Sequence, residues 1–206
     1  MKTKILLFLT ILSLVSCSSD DSSNDPASRL PPETQTGANT FGCIIDGKIL
    51  LPRSGNTSQI NPLYGARLLR GFAEFDFDYY ELEIIDHKSN RSASFYIHMH
   101  NAVQNGVGSY IIDESNGMNG IDGYAHNYIH CNVYSRETSS YQKYVSFENS
   151  GSFIITKSMR NATTGNIISG TFNCKVRNIN NPNDEIEITD GRFDINSLTI
   201  KTTYFP

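Results

Sequence analysis

From residue 41 onward, apolar and polar side chains alternate with a period of two over most of the chain. The segment SGTFNCKV is an example, because every second residue from Gly170 to Val176 is small or apolar and the residues between them are polar. Alternation rich in Ile, Val, Phe, Tyr and Thr is typical of β-strands with one buried side and one solvent-facing side. No segment carries a convincing helical stripe. The chain is therefore predicted to be all-β.

The alternating segments are short and are separated by clusters of Gly, Asn, Asp and Ser, which are typical of turns. The predicted strands lie at 41–50, 66–76, 79–87, 93–101, 107–112, 122–134, 143–148, 151–158, 166–177 and 185–195, with a further short one at 198–203. Many short strands at this spacing predict an antiparallel β-sandwich or partly open β-barrel of about 8–11 strands. We find no internal repeat, so the strands are expected to form a single domain.

The first residues have the features of a secretory signal peptide. Lys2 and Lys4 precede a mostly apolar run from Ile5 to Val15. This run is too short to cross a bilayer core of about 30 Å, which takes about 20 helical residues. A basic start followed by a short apolar core and small residues predicts a signal peptide over residues 1–16 that is cleaved from the mature protein.

The signal peptide ends in LVSC, which resembles the bacterial lipobox. In lipoproteins with this motif the cysteine is acylated and becomes the first residue, so Cys17 is predicted to carry a covalent lipid, such as palmitate, that anchors the chain in a membrane. An ordinary signal peptide with an incidental cysteine is the alternative. Because Ser18 follows the cysteine, the chain resembles lipoproteins of the outer membrane. The acidic cluster SSDDSSND resembles tags for export to the cell surface, but it also suits a plain solvated tether, so the periplasmic and outer sides both remain open.

Residues 17–40 are predicted to be the lipidated cysteine and a flexible tether. They hold few apolar residues and three of the seven prolines, so they cannot bury enough surface to order themselves. Residues 41–206 have the size of one domain. Loss of Lys2 and Lys4 lowers the formal net charge from −4 to −6, and no basic run is present. Nucleic acid is therefore not expected as a partner.

Lipidation of Cys17 leaves three of the four cysteines in the domain. The alternation places Cys43, Cys131 and Cys174 on the core side of their strands. A disulfide between Cys43 and Cys174 and a pair of unpaired buried thiols are both open interpretations. Cys131 is expected to be inert.

Three further segments resemble a family of uncharacterised Gram-negative outer-membrane lipoproteins. They are LPPETQTGANTFGCIIDGK at 30–48, IISGTFNC, and ITDGRFDI at 188–195. The similarity is good at both ends of the chain and weak between about residues 55 and 150. The resemblance implies one lipid-anchored domain that runs to the last residues, and it implies no activity.

One surface goes beyond a generic β domain. The strands at 93–101 and 122–134 each turn apolar residues inward, which leaves tyrosines and histidines on the opposite side. Four of the five histidines and four of the eleven tyrosines share this face. Its predicted members are Tyr96, His98, His100, Tyr124, His126, Tyr128, His130 and Tyr134.

Three interpretations of this face remain open. It could be a structural lattice of rings on a half-exposed sheet, or a binding platform for a glycan or a protein partner, because tyrosine gives a large contact area at low entropy cost. The third interpretation is a zinc site. His98 and His100 lie about 7 Å apart on one strand and can reach one ion, whereas His126 and His130 lie about 13 Å apart and cannot.

Catalytic motifs are absent: there is no His-Glu-x-x-His, Gly-x-Ser-x-Gly or phosphate loop. Glu74, Asp76 and Asp78 could form a carboxylate pair, but nothing fixes their separation. We therefore predict a lipid-anchored envelope protein with a non-catalytic, ligand- or partner-binding β domain and no cofactor besides its lipid. The alternatives are a structural or assembly lipoprotein of the outer membrane and, third, a metal-dependent enzyme that uses His98 and His100.

Overall fold

A computed structural model describes residues 25–56, 62–71 and 79–206. The strands are β1 (Thr40–Ile45), β2 (Lys48–Leu50), β3 (Ala66–Arg70), β4 (Tyr79–Ile85), β5 (Ser94–His100), β6 (Gly108–Ile112), β7 (Tyr128–Ser135), β8 (Ser140–Val145), β9 (Gly151–Met159), β10 (Ile167–Asn178) and β11 (Asn181–Asn196). There is one turn of α-helix, α1 (Ala102–Asn105), and there are 3₁₀ turns at Pro26–Arg29, Gly120–Asp122 and Ile200–Thr202. The predicted all-β class is confirmed.

Several predictions concern residues that the structure does not describe. The signal peptide, Cys17 and the first part of the tether lie outside the described residues, and so do Glu74, Asp76 and Asp78. In the part of the chain that is described, no helix has the length and hydrophobicity needed to span a bilayer.

The eleven strands of the described residues belong to one sheet, and every ladder between them is antiparallel. The order is β2-β1-β11-β10-β8-β7-β5-β4-β3, and a branch is formed by β9 on β10 and β6 on β9. Within the described ranges the end strands β2 and β3 do not pair, so the sheet is not closed into a barrel. An isolated bridge between Arg53 and Asp86 joins the chain after β2 to the end of β4.

The core lies inside a fold of this sheet. Phe41 of β1, Phe95 of β5 and Phe172 of β10 pack together with ring centroids 5.5 to 5.9 Å apart. Because four strands separate β1 from β5 in the sheet order, these rings can meet only if the sheet curls over on itself. The alternating apolar residues of most strands therefore bury against one another on its inner side.

Two predicted strands have a different form. The segment predicted as one strand at 41–50 is a hairpin of β1 and β2, because Asp46 and Gly47 adopt left-handed φ angles of 48° and 72°. Asp-Gly favours the tight turn that matches the twist of two antiparallel strands. The strand predicted at 198–203 is instead the 3₁₀ turn Ile200–Thr202.

The later half of the predicted tether packs against the domain. Leu30 is buried, and the backbone N–H groups of Thr36, Gly37 and Ala38 donate hydrogen bonds of 3.0, 2.8 and 3.1 Å to the carboxylate of Asp194 on β11. Part of the segment predicted as a tether over 17–40, before the predicted domain start at 41, therefore contacts the domain, and residues 17–24 lie outside the described residues. The buried carboxylate of Asp194 and the buried Leu30 both hold this polar segment.

All three domain cysteines are free thiols. Cys43, Cys131 and Cys174 are buried, so the alternation placed them correctly, and the interpretation with unpaired thiols matches the structure rather than the disulfide. Burial raises the pKa of each thiol, to about 12 for Cys131. Protonated, enclosed thiols are poor nucleophiles, so these cysteines act as small core residues.

Candidate functional site

Strands β5 and β7 are hydrogen-bonded neighbours, which the predicted Tyr/His face requires. Their register places Tyr96 opposite His130 and His98 opposite Tyr128. Since residues opposite each other on one side of an antiparallel pair lie about 5 Å apart at Cβ, the four rings come into contact. The sequence therefore identified a true cluster of aromatic and imidazole groups.

Strand β4 adds two carboxylates to the same side of the sheet. Glu81 pairs across to His98, and Glu83 pairs across to Tyr96. Residues 80–84 alternate as Tyr-Glu-Leu-Glu-Ile, which turns both carboxylates away from the main core. We call this set the Glu–His–Tyr layer: Glu81, Glu83, Tyr96, His98, Tyr128 and His130.

The Glu–His–Tyr layer is covered by the connection between β6 and β7, residues 113–127, which we call the covering loop. The Gly120 N–H donates to a carboxylate oxygen of Glu81 at 3.2 Å, and the Tyr128 hydroxyl donates to the Met118 carbonyl at 3.1 Å. Tyr128 is 0% exposed as a result. The centre of the predicted solvent-facing platform is therefore buried.

Ring stacking holds the layer together internally. The His98 imidazole lies 4.4 Å from the Tyr128 ring and 4.6 Å from the Tyr79 ring, measured between centroids. Tyr96 stacks on His130 at 4.8 Å. Aromatic contacts at such distances add about 0.5–1.5 kcal/mol each beyond the area they bury. This arrangement matches the interpretation of the face as a structural lattice.

Both buried carboxylates have partners. Glu83 accepts hydrogen bonds from the Tyr96 hydroxyl at 2.6 Å and from Arg67 Nε at 2.5 Å. Glu81 Oε1 lies 3.4 Å from His98 Nδ1. An unpaired buried ion costs several kcal/mol. These contacts offset that cost and so allow the two carboxylates to be buried.

The buried setting changes how the layer titrates. Burial raises the pKa of Tyr96 and of Tyr128 above the usual range for a phenol, and the carboxylate of Glu83 adds to the effect at Tyr96. Burial, followed by the positive charge of Lys143, lowers the pKa of His130 to about 4. The His130 imidazole is therefore neutral at neutral pH.

Two members of the predicted face are not on a strand. β7 begins at Tyr128 rather than at the predicted residue 122, so Tyr124 and His126 belong to the covering loop. Tyr124 is 40% exposed, and its ring lies 5.3 Å from that of His126. The polar Asn127 at a nominally inward position was the sign in the sequence that the alternation ends there.

The histidines do not converge on a shared ion position. His98 is stacked between two tyrosines, whereas the His100 ring nitrogen Nε2 lies 3.0 Å from the side-chain amide of Asn101. In the described residues no group of three His, Cys, Asp or Glu side chains could hold a metal.

Tyr134, the last member of the predicted face, lies in a different environment. Four hairpins, β1–β2, β4–β5, β7–β8 and β10–β11, meet near the end of β7 and enclose a cleft of about 720 Å³, which we call the Tyr134 cleft. Its lining residues are Asp46, Lys48, Asn90, Arg91, Val133, Tyr134, Ser135, Arg136, Glu137, Tyr144, Asn181, Asp184, Glu185 and Ile186. A further cavity of about 240 Å³ continues from it along β2.

Aromatic rings and charged groups meet in the Tyr134 cleft. The Arg91 guanidinium lies 4.6 Å from the centre of the Tyr134 ring, and Tyr141 packs edge-on against that ring at 5.5 Å. The Tyr144 hydroxyl donates to Asp184 at 2.8 Å. Burial and this hydrogen bond raise the pKa of Tyr144 to about 12, so it stays a protonated donor.

The charges along the Tyr134 cleft nearly balance. Four carboxylates and three cations line it: Asp46, Glu137, Asp184, Glu185, Lys48, Arg91 and Arg136. A lining without a dominant sign favours a polar, uncharged ligand over an anion or a cation. Tyrosine rings beside carboxylates and amides suit a ligand with many hydroxyl groups, because the rings contact its C–H faces and the polar groups bond its hydroxyls.

Sequence reasoning missed four functional candidates. Glu81 and Glu83 were detectable in principle from the alternation of β4. Arg91 lies in the turn between β4 and β5, and Asp184 lies in the first part of β11, just before the strand predicted at 185–195, so no periodic pattern predicted their positions. Only the fold brings these two residues to Tyr134.

Comparison with known proteins finds no match: no family profile, no curated protein and no solved structure is detectably similar to this chain. The resemblance to uncharacterised lipoproteins remains a prediction.

Proposed function

We propose that this chain is a lipid-anchored envelope protein whose β domain binds a ligand without catalysis, and that the Tyr134 cleft is its binding site. The lipobox around Cys17 and the signal peptide before it support the anchor. The open Tyr134 cleft, with its aromatic ring under a guanidinium, is the observation that carries the binding site.

The ligand class follows from the chemistry of the Tyr134 cleft. A volume of about 720 Å³ lies within the range of ligand pockets, roughly 300–1,000 Å³. A glycan segment suits its near-neutral, amide- and carboxylate-rich lining, which offers acceptors and donors to sugar hydroxyls. The ligand is therefore proposed to be an oligosaccharide.

A non-catalytic role is supported by where the acid–base groups lie. Glu81, His98 and Tyr128 form a cluster of groups that could move protons, but they contact one another beneath the covering loop. A general acid or base must come within hydrogen-bond reach of its substrate. The layer has the contacts of a structural element instead.

An oligosaccharide array tests the binding site. Wild-type protein and Tyr134→Ala are applied to the same array, with Tyr124→Ala as the matched control, since Tyr124 is an exposed tyrosine outside the cleft lining. We expect wild type and Tyr124→Ala to share their positive spots and Tyr134→Ala to lose them. Equal patterns for all three proteins would remove the cleft from the proposal.

The anchor is tested separately by membrane fractionation with and without Cys17→Ala, together with incorporation of labelled palmitate. We expect the wild type in the membrane fraction with label, and the variant without label and released. Equal partitioning of both proteins would contradict lipid anchoring.

One observation favours a second function, envelope assembly through a protein partner. Within the described residues β6 pairs only with β9, and this edge has exposed apolar side chains: Val107 at 64%, Ile111 at 57% and Ile154 at 48%. An apolar edge strand can add a strand from another protein. Cross-linking in intact envelopes with wild type and Ile111→Lys tests this function. We expect the variant to lose a specific cross-linked adduct that the wild type forms. The same set of adducts for both proteins would contradict it.

A further inference from the structure

The N-terminal segment first contacts the domain much closer to Cys17 than a 24-residue tether over 17–40 would allow. Asp194 is fully buried and accepts hydrogen bonds from the Thr34 hydroxyl at 2.6 Å and from the Gly37 N–H at 2.8 Å. The Ser169 hydroxyl on β10 donates to the same carboxylate at 2.7 Å. We call this set of contacts the Asp194 clasp. It fixes the N-terminal segment to the centre of the sheet.

The structured chain continues upstream of the clasp. Leu30 is buried, and Pro26–Arg29 form a 3₁₀ turn that Asp25 caps through its side chain. Only seven residues lie between Cys17 and Asp25, so eight residue-to-residue steps join them. A fully extended chain of that length spans about 28 Å. A lipid on Cys17 therefore keeps this side of the domain close to the bilayer.

The surface beside this turn has a distinctive composition. A groove of about 480 Å³, which we call the anchor-side groove, is lined by Arg29, Leu30, Pro31, Ala38, Asn39, Thr40, Phe41, Leu51, Pro52, Arg53, Thr203, Tyr204, Phe205 and Pro206. Two arginines line it: Arg53 is paired with the carboxylate of Asp86, whereas Arg29 has no carboxylate among the other lining side chains. Tyr204 is 60% exposed, and Lys88 Nζ lies 5.4 Å from the centre of its ring.

We propose that the anchor-side groove is the face of the domain that rests on the bilayer surface. This inference depends on the proposed lipid anchor at Cys17. Proline, leucine and an exposed tyrosine beside Arg29 and Lys88 suit the headgroup region, where tyrosine rings are enriched and each nearby cation contributes about 1 kcal/mol on an anionic surface. The lining of the groove begins at Arg29, four residues after Asp25.

The same orientation predicts that the outer rim of the Tyr134 cleft, at Glu137, lies farther from the bilayer than Tyr204. Asp194 of the clasp and Asp184 of the cleft lie ten residues apart on β11. Ten fully extended residues would cover about 33 Å, but Asp190 in this stretch has a left-handed φ of 54°, so the separation is shorter. The inner part of the cleft lies nearer to the groove, since Lys48 of the cleft and Leu51 of the groove are three residues apart.

Depth-dependent quenching tests the orientation with the full, lipidated chain. A fluorophore is attached to Tyr204→Cys in one sample and to Glu137→Cys, at the rim of the cleft, in another. Both sites are exposed, and the three domain thiols are buried, so labelling is specific. Each protein is reconstituted in vesicles of phosphatidylethanolamine and phosphatidylglycerol with a nitroxide-headgroup lipid as quencher.

We expect the label at residue 204 to lose most of its fluorescence and the label at residue 137 to keep it. Equal quenching at both sites, or stronger quenching at residue 137, in protein that floats with the vesicles would overturn the orientation and leave the anchor intact. A Cys17→Ala sample that floats equally well would overturn the anchor, and the orientation with it.

Discussion

The ring of Tyr128 lies almost parallel to the imidazole of His98, at a centroid distance of 4.4 Å and an interplanar angle of 9°. Both side chains are buried, and Glu81 contacts the far edge of the imidazole through Nδ1. Polar residues packed in this way form a second, smaller core on the outer side of the sheet. The covering loop, rather than solvent, faces it.

The close approach of the covering loop to Tyr128 can be tested at Gly123. A Cβ at Gly123 would lie 1.9 Å from the Tyr128 hydroxyl oxygen, so Gly123→Ala must displace the ring or the loop. We expect a loss of about 1–3 kcal/mol in the free energy of unfolding, as for other overpacked sites. Chemical denaturation measures it. Gly108→Ala is the control, because its Cβ would meet nothing closer than 3.5 Å, and equal stability of the two variants would contradict a packed loop.

His130 makes the fold sensitive to acid. Its pKa is lowered from 6.5 to about 4 in the folded protein, chiefly by burial, so the unfolded chain binds the proton more strongly. The free energy of unfolding should therefore fall as the pH drops from 6.5 to 4, by up to about 3 kcal/mol from this residue. Urea unfolding at several pH values measures it. In His130→Phe the free energy of unfolding should fall less over this pH range, by the same amount. An identical pH profile for both proteins would contradict this assignment.

The Asp194 clasp predicts a large effect from a nearly isosteric change. Burial alone would raise the pKa of Asp194, but the hydrogen bonds from Thr34, Ser169 and the backbone amides hold it below its usual range. The charged form is therefore the stable one, and its contribution is present at neutral pH and lost as the pH falls through the lowered pKa. In Asp194→Asn one acceptor oxygen becomes an NH₂ group. That group can only donate, and it would face N–H and O–H groups that also donate. We expect a loss of about 3 kcal/mol or more at pH 7, since hydrogen bonds to a charged group contribute about 1.5–3 kcal/mol each.

The control for this variant is Asp190→Asn, an exposed aspartate on the same strand. Thermal and urea unfolding should place Asp190→Asn within experimental error of the wild type. If Asp194→Asn were equally stable, the clasp would not order the N-terminal segment.

Thiol counting tests the core and the anchor together. In the native protein Cys43, Cys131 and Cys174 should not react with a thiol reagent, because burial excludes the reagent and raises their pKa values. After unfolding, the lipidated chain should show three thiols and an unprocessed chain four. Rapid reaction of a native thiol, or only one thiol after unfolding without reductant, would contradict the free, buried cysteines.

The sequence predicted the all-β class and the approximate positions of many strands, because alternation with a period of two reports directly which side of a strand is buried. It placed Tyr96, His98, Tyr128 and His130 on the side of their strands away from the main core, and the pairing of β5 with β7 then brings them together. It could not predict that this side is buried. That depends on the path of the covering loop, whose Gly- and Asn-rich sequence fits a solvent-exposed hairpin equally well.

Two other features could not be predicted from the alternation of apolar and polar residues, for physical reasons. Residues 30–40 are held by contacts with residues about 160 positions away in the sequence, Asp194 above all, whereas composition alone predicts disorder there. The Tyr134 cleft depends on four turns that meet only in the folded sheet. Turn residues such as Arg91 have no periodicity that could reveal this.

The central claim is that the Tyr134 cleft, and not the buried Glu–His–Tyr layer, binds the ligand. Calorimetric titration of wild type, Tyr134→Ala and Tyr124→Ala with the strongest oligosaccharide from the array tests it most directly. We predict that Tyr134→Ala binds at least about tenfold more weakly, a loss of about 1.4 kcal/mol, and that Tyr124→Ala binds as the wild type does. Wild-type affinity in a folded Tyr134→Ala variant would contradict the claim.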